Sequence, residues 1–383
     1  MTSTFKIENK RIKYSMDDLL LDQISIQSVP FNYIVRFVDR KQLSIELRKI
    51  KSINKKRNFV FIDKTVASFY GKNIFKNEDL HELIAKESNK TLPSVTKLVD
   101  TLSEKNYTKK EIFISAGGGI TQDVSSFARA IFKRGIHWTY LPTTLLAMAD
   151  SCIGAKACLN YDGIKNLLGL FSAPREVFIF SGFLNTLNKR DILSGYGEIL
   201  KLAIVGGSDT MNKFRSISRD QNRNQLKNID QMIKLALLVK KSIIEIDEYE
   251  HNIRRALNFG HTVGHAIEPL TSYKIPHGIA VSIGMVMENH IASLAGRLSQ
   301  SEAMEMNELI FPFIDNLSLN YLKKVSPKDL ISNMKRDKKA LDNDIYMSVP
   351  AEIGHFEMLK VPSNVSLEKS IKEMTQNLLY FRP

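Results

Sequence analysis

Four polar side chains recur at helical spacing in Arg254-x-x-x-Asn258-x-x-His261-x-x-x-His265. Steps of four, three and four residues predict that all four share one helical face. A third imidazole, His277, follows in the turn Ile275-Pro276-His277-Gly278. Neutral imidazole is the commonest metal ligand, so three within this short span fit zinc chemistry. Any one of them alone reads equally well as a hydrogen-bonded core histidine, but the group does not. Spacing leaves open which of the three bind a metal. Glu198 and Lys201, in Gly195-Tyr196-Gly197-Glu198-Ile199-Leu200-Lys201, share another helical face. Glu198 is placed to complete a carboxylate-plus-two-histidine site; the bland alternative is a helix-surface ion pair.

Two further clusters suit phosphorylated ligands. Gly117-Gly118-Gly119 follows an apolar run and precedes a helical pattern, which is where a backbone can approach a pyrophosphate. Measured against G-x-G-x-x-G the third glycine is replaced by Gln122, so the motif alone is weak and also fits a tight strand-to-helix turn. The stretch from Asp150 to Lys156, then Lys165-Asn166, sets lysines among small residues. A solvated loop explains that stretch as well as a phosphate pocket does.

These residues must be held by elements that the rest of the chain supplies. The sequence has 383 residues, enough for two domains. With 43% hydrophobic and 25% charged residues it has a globular composition, which excludes a disordered or collagen-like chain. A net charge of +13 favours anionic ligands. The lysines are dispersed, without an Arg-rich or aromatic-interleaved stripe, so a phosphorylated small molecule is expected rather than nucleic acid. Two cysteines, Cys152 and Cys158, give no disulfide framework. The N-terminus lacks the apolar core of a signal peptide and no apolar run approaches the length of a membrane span, so a cytoplasmic location is expected.

Up to about residue 180, short β-rich runs (Phe31–Val38, Asn58–Ile62, Ile112–Ser115, His137–Leu141, Val177–Phe180) alternate with helical patterns (Leu80–Ala85, Val95–Leu102, Val124–Phe132). Such alternation predicts a Rossmann-like α/β domain with a mainly parallel sheet. Beyond it come long helical periods at Arg190–Ile204, Asn228–Glu245, Arg254–Glu268, Ile279–Leu294 and Ser301–Phe313, with β-like residues again at Tyr346–Val349. The expected division is residues 1–180, α/β and nucleotide-binding, and residues 181–383, mostly helical and holding metal and substrate.

Taken together, GGGITQD, KRG with LPTTLLAMADSCIGAK, KNLLG, SGYGEILK, LNFGHTVGHAIE, IPHG and RDKK resemble the sugar phosphate cyclase family, in particular its dehydroquinate synthase-like members. The motifs run in family order from about residue 87 to 350; residues 1–80 match only in strand-helix rhythm. The resemblance implies an NAD that is reduced and reoxidised in each cycle and one divalent ion, zinc or cobalt, held by Glu198, His261 and His277. It places NAD at Glu87, Lys90, Gly118, Gly119, Asp123, Thr143, Thr144, Lys165, Phe183 and Thr186, with Asp63 a further contact. It puts Asp150 and Lys201 at the substrate hydroxyls. Lys156, Asn166, Asn258, His265 and a lysine of Lys338-Lys339 fall at the phosphate, and Lys240 and Arg254 at a carboxylate. Arg134 matches an arginine that reaches the partner's pocket in a homodimer. The implied substrate is a phosphorylated seven-carbon sugar acid, a heptulosonate 7-phosphate, which loses phosphate as a carbocycle closes. Departures at Gln122, Ala155 and Gly195–Gly197 bear on the substrate rather than on the reaction class. The rival readings are a secondary-metabolic cyclase acting on sedoheptulose 7-phosphate or an amino analogue, and an NAD- and metal-dependent alcohol dehydrogenase relative.

Overall fold

The computed structural model of the chain describes residues 2–29, 31–54, 58–76, 78–219, 225–337 and 344–380. Its strands, in chain order, are β1 (Thr2–Ile7), β2 (Lys10–Ser15), β3 (Gln23–Ile26), β4 (Tyr33–Phe37), β5 (Phe59–Asp63), β6 (Asp79–Leu83), β7 (Ile112–Gly117), β8 (His137–Pro142), β9 (Lys156–Tyr161), β10 (Ile164–Phe171), β11 (Glu176–Ile179), β12 (Asp344–Glu352) and β13 (His355–Pro362). The chain forms two compact units, dividing between Leu187 and Asn188.

The α/β unit, from Leu20 to Leu187, carries a seven-stranded sheet of order β3-β4-β11-β8-β7-β5-β6. All of its pairings are parallel except β3 with β4. The continuous apolar runs of β5 and β7 suit parallel strands covered on both faces, and every residue of β7 is buried. Leu80–Ala85, expected to be helical, falls instead largely in the edge strand β6, which pairs with β5 in the register Val60↔Leu80. The three-residue spacing of Leu80 and Leu83 imitates a helix, but the open edge of β5 supplies a ladder that local propensity does not encode. A separate two-stranded hairpin, β9 with β10, has an irregular register between Ile164 and Leu168.

The helical unit takes the chain from Asn188 onward apart from a short segment ending at Asp230, which groups with the α/β unit. It also takes in the residues up to Leu19, where the sequence had placed them with the α/β part. The reason is pairing: β1 lies antiparallel to β2 and parallel to β13, within a four-stranded sheet of order β12-β13-β1-β2. Partners some 350 positions apart leave no local trace. The helices that matter for chemistry are Lys189–Val205, Gln225–Ile244, His261–Leu270 and His277–Leu294. Among the described residues no helix is long and apolar enough to cross a membrane.

Candidate metal and nucleotide sites

The expected single helix over Arg254–Glu268 is broken. Arg254 and Asn258 lie on a 3-10 turn, Ile253–Asn258, and the α-helix begins only at His261, after Gly260 at φ +77°. Gly260 has no side chain to cap that helix. The buried carboxylate of Glu288, from the helix His277–Leu294, does so instead, accepting the N–H groups of Gly260 (2.6 Å) and Val263 (3.2 Å). His261 and His265 then share a face, as the four-residue step predicts, and their ring centroids are 5.1 Å apart. His277 opens its own helix, with its ring 5.3 Å from that of His261 and 5.5 Å from that of His265. One ring nitrogen from each of the three lies within 4.8 Å of the others.

Glu198 completes the arrangement. Its Oε1 is 3.5 Å from His261 Nε2 and 3.3 Å from His277 Nε2, while its Oε2 is 2.5 Å from the ammonium of Lys201. Both carboxylate oxygens are buried, and neither makes a hydrogen bond of good geometry. Burial alone would raise this carboxyl's pKa; Lys201 and then His277 outweigh it and hold the group at about 2, so it stays ionised. Desolvation, with Lys201 and the neighbouring rings, pushes His261 well below its ordinary value, which keeps it neutral. The far nitrogens are anchored: His261 Nδ1 lies 3.1 Å from the Phe259 carbonyl and His277 Nδ1 lies 3.3 Å from Glu268 Oε1. Two imidazoles with oriented Nε2 atoms facing a buried, ionised carboxylate are a donor set that fits a divalent ion. Glu268 escaped sequence reading, although its position seven residues after His261 on the same helix was the available signal.

The other predicted residues of this unit are also buried cations or their neighbours. Lys201, Lys240 and Arg254 are 1%, 6% and 3% exposed, far below what is usual for lysine and arginine. The Arg254 guanidinium donates to the Glu248 carbonyl, and Asn258 Nδ2 donates to Glu250 Oε1 at 2.7 Å. Asp247 accepts three backbone N–H groups, from His251, Asn252 and Arg254, and so shapes the turn that carries Arg254. Lys338 and Lys339 lie outside the described residues.

In the α/β unit, the helix Gly119–Ile131 follows β7 directly, and its N-cap Gly118 offers no side-chain cap. A Cβ on Gly118 would lie 2.9 Å from Thr144 Cγ2, so glycine lets the loop pack closely against Thr144. Thr143 N–H donates to the Gly117 carbonyl (3.0 Å), which ties the end of β8 to this loop. Thr144 Oγ1 accepts from Ala147 N–H (3.2 Å) at the head of the π-helical turn Ala147–Ser151, which carries Asp150. Gln122, in place of the third glycine, clasps the end of that turn: its Nε2 donates to the Ser151 carbonyl and its Oε1 accepts from the Ser151 hydroxyl, both at 2.7 Å.

Glu87 and Lys90 flank a 3-10 turn beside β9. Lys90 Nζ is 2.5 Å from Asp123 Oδ2 and 2.6 Å from Asn166 Oδ1. Burial lowers the Lys90 pKa, but Asp123 and Glu87 more than reverse that, and it is raised. Lys156 opens β9 and Lys165 lies on β10, so these lysines are on a hairpin, whereas Asp150 is on the π-helical turn that precedes it. The Phe183 ring is buried edge-on against Tyr70 and Phe180, and Thr186 Oγ1 lies 3.1 Å from Tyr70 Oη. Asp63 caps a short helix by accepting Thr65 N–H (2.6 Å). Arg134 is exposed, in a left-handed turn (φ +63°) before Gly135.

Comparison with known proteins identifies the family. The family profile described as 3-dehydroquinate synthase N-terminal matches residues 81–194, and the one described as 3-dehydroquinate synthase C-terminal matches residues 195–340. The chain belongs to the 3-dehydroquinate synthase family. The 3-dehydroquinate synthase of Pyrococcus abyssi is 36% identical over 282 residues, which is 74% of this chain and 81% of that protein. Among solved structures, 2-deoxy-scyllo-inosose synthase complexed with carbaglucose-6-phosphate, NAD+ and Co2+ shares the fold at TM-score 0.77 and 22% identity, over 92% of this chain and 99% of that one. So does 2-epi-5-epi-valiolone synthase from Streptomyces hygroscopicus subsp. jinggangensis 5008 with NAD+ and Zn2+ bound, at TM-score 0.76 and 24% identity, over 94% and 99%. This chain thus shares its two-part α/β and helical fold with these solved structures.

Proposed function

We propose that the chain is a 3-dehydroquinate synthase, converting 3-deoxy-arabino-heptulosonate 7-phosphate to dehydroquinate and phosphate. The observation that carries this reading is the coexistence of a buried carboxylate-histidine cluster, Glu198 with His261 and His277, and a second pair of buried cations, Lys240 and Arg254, in one family framework.

Glu198, His261 and His277 would hold the divalent ion, and the loop Gly117–Gly119 with Thr143, Thr144, Glu87, Lys90, Asp123, Lys165, Phe183, Thr186 and Asp63 would hold NAD. When bound, these groups supply hydride transfer and polarisation of the substrate hydroxyl. Lys201 keeps Glu198 ionised and, with Asp150, orients the substrate hydroxyls. Lys240 and Arg254 fix the carboxylate, Arg254 by the two parallel N–H bonds that a guanidinium presents. Lys156, Asn166, Asn258, His265 and a lysine of Lys338-Lys339 bind the phosphate, whose own oxygens can take the proton that elimination releases. The protein's part is orientation and electrostatics, without a dedicated side-chain base. The enzyme acts as a homodimer in which Arg134 reaches the partner's phosphate pocket.

The test is phosphate release with NAD at a small fraction of the substrate concentration. The reading expects many turnovers per NAD with no net NADH. Accumulation of one NADH per turnover would instead make the chain an ordinary dehydrogenase.

A further inference from the structure

Asn160 has no assigned role, yet it is the junction of a closed hydrogen-bonded ring. It lies on β9, half-buried, and its Nδ2 donates to Glu87 Oε1 at 2.8 Å. Its Oδ1 accepts the N–H of Asn166 at 2.9 Å, and its own N–H donates to the Lys90 carbonyl at 2.8 Å. Asn166 in turn accepts Lys90 Nζ at 2.6 Å. The ring therefore runs from Asn160 through Asn166 and the Lys90 side chain, back through the Lys90 carbonyl to Asn160, with Glu87 attached.

The ring holds Asn166 in a particular conformation. Its backbone sits at φ +55°, a left-handed turn that asparagine adopts more readily than most residues, within the irregular stretch of β10. An amide side chain is the group that can hold both neighbours, because its oxygen accepts from the Asn166 N–H while its nitrogen donates to the Glu87 carboxylate. A carboxylate in its place would keep the first bond and repel at the second.

We propose that Asn160 is a positioning residue that sets two subsites together: the Glu87–Lys90 end of the nucleotide site, and the irregular stretch of β10 that presents Lys165 and Asn166. This rests on the proposed function for which ligand occupies each subsite, and the ring itself stands on geometry alone.

The test compares three variants by NAD affinity and by substrate KM at saturating NAD. Asn160→Asp should weaken NAD binding roughly 10- to 100-fold, the usual range for a lost hydrogen bond to a charged group, while leaving substrate KM within about twofold. Asn160→Leu should weaken both, and Glu87→Gln should weaken NAD alone. A purely structural residue would lower thermal stability in both Asn160 variants without this split. Equal losses of both affinities in Asn160→Asp, or no loss in either, would overturn the proposal. If Asn160→Leu does not fold, the Asp variant decides it. If Glu87→Gln leaves NAD affinity unchanged, the assignment of the nucleotide site fails, which is a separate result from failure of the ring.

Discussion

Glu198 Oε1 comes within 3.3 Å of His277 Nε2 because the two helices that carry them cross with no side chain between. Gly197 and Gly278 face each other at the crossing: a Cβ on Gly197 would overlap the Gly278 carbonyl, and one on Gly278 would overlap the Ser194 carbonyl. The Ser194 hydroxyl fixes the same contact by accepting the Gly278 N–H at 2.8 Å. Backbone contact at this point is what sets the span between a carboxylate and an imidazole to one suited to a shared ion.

Gly278→Ala should therefore separate the helices. The overlap is with backbone, which no rotamer relieves, so a destabilisation of about 1–3 kcal/mol is expected, together with weaker metal binding. Thermal unfolding and metal content of the purified variant check this. A variant with wild-type melting temperature and full metal would show that the crossing tolerates a methyl group.

The ligand set is tested by elemental analysis. His261→Ala and Glu198→Ala should lose the metal, whereas His265→Ala should retain it and lose phosphate affinity. His265 sits in the same histidine cluster, so the opposite pattern, with His265→Ala metal-free and Glu198→Ala loaded, would make the site a three-histidine one.

Arg134 should act in trans. Arg134→Ala and Lys156→Ala, each inactive alone, should recover part of the activity when mixed under conditions that exchange subunits, since each mixed dimer keeps one intact site. No recovery despite demonstrated exchange would place Arg134 in its own chain's chemistry or outside it.

Asp315 gives a pH-dependent stability term remote from the metal cluster. Burial would raise its pKa, but the bonds from Arg190 (2.7 Å) and from Ser318 N–H (2.6 Å) outweigh this and hold it below 3.8. A depressed folded pKa means the stabilisation is complete above the unfolded value and fades as pH falls below it. Asp315→Ala should thus cost about 1 kcal/mol in urea unfolding at pH 7, as for other helix N-caps, and clearly less near pH 3. An equal cost at both values would remove charge from the explanation.

Much of this was legible in the sequence where the signal is local. The apolar runs of β5 and β7 announced buried parallel strands, and the four-residue step from His261 to His265 announced a shared helical face. The helix expected to begin at Arg254 failed because Gly260 turns left-handed and its cap comes from Glu288, a residue on the next helix. Likewise β6 depends on the open edge of β5, and β1 on a strand near the C-terminus. The β9–β10 hairpin was hidden because Lys156, Asn160, Lys165 and Asn166 interrupt its apolar alternation with polar groups, two of which, Asn160 and Asn166, belong to the ring. Local pattern reports what a segment can be; these elements are decided by what lies beside them.

The central claim, that the substrate is a sugar acid, rests on Lys240 and Arg254. A substrate carboxylate held by these two buried cations would gain charge-assisted hydrogen bonds that a substrate without one lacks, worth about 2–4 kcal/mol. That corresponds to a preference of roughly 30- to 1000-fold. The direct measurement is kcat/KM of the zinc-loaded enzyme, with catalytic NAD, for 3-deoxy-arabino-heptulosonate 7-phosphate against sedoheptulose 7-phosphate. The heptulosonate should be favoured within that range, and Arg254→Ala should erode the preference more than it weakens phosphate binding. Faster turnover of sedoheptulose 7-phosphate would contradict the assignment and leave a cyclase of a different substrate class.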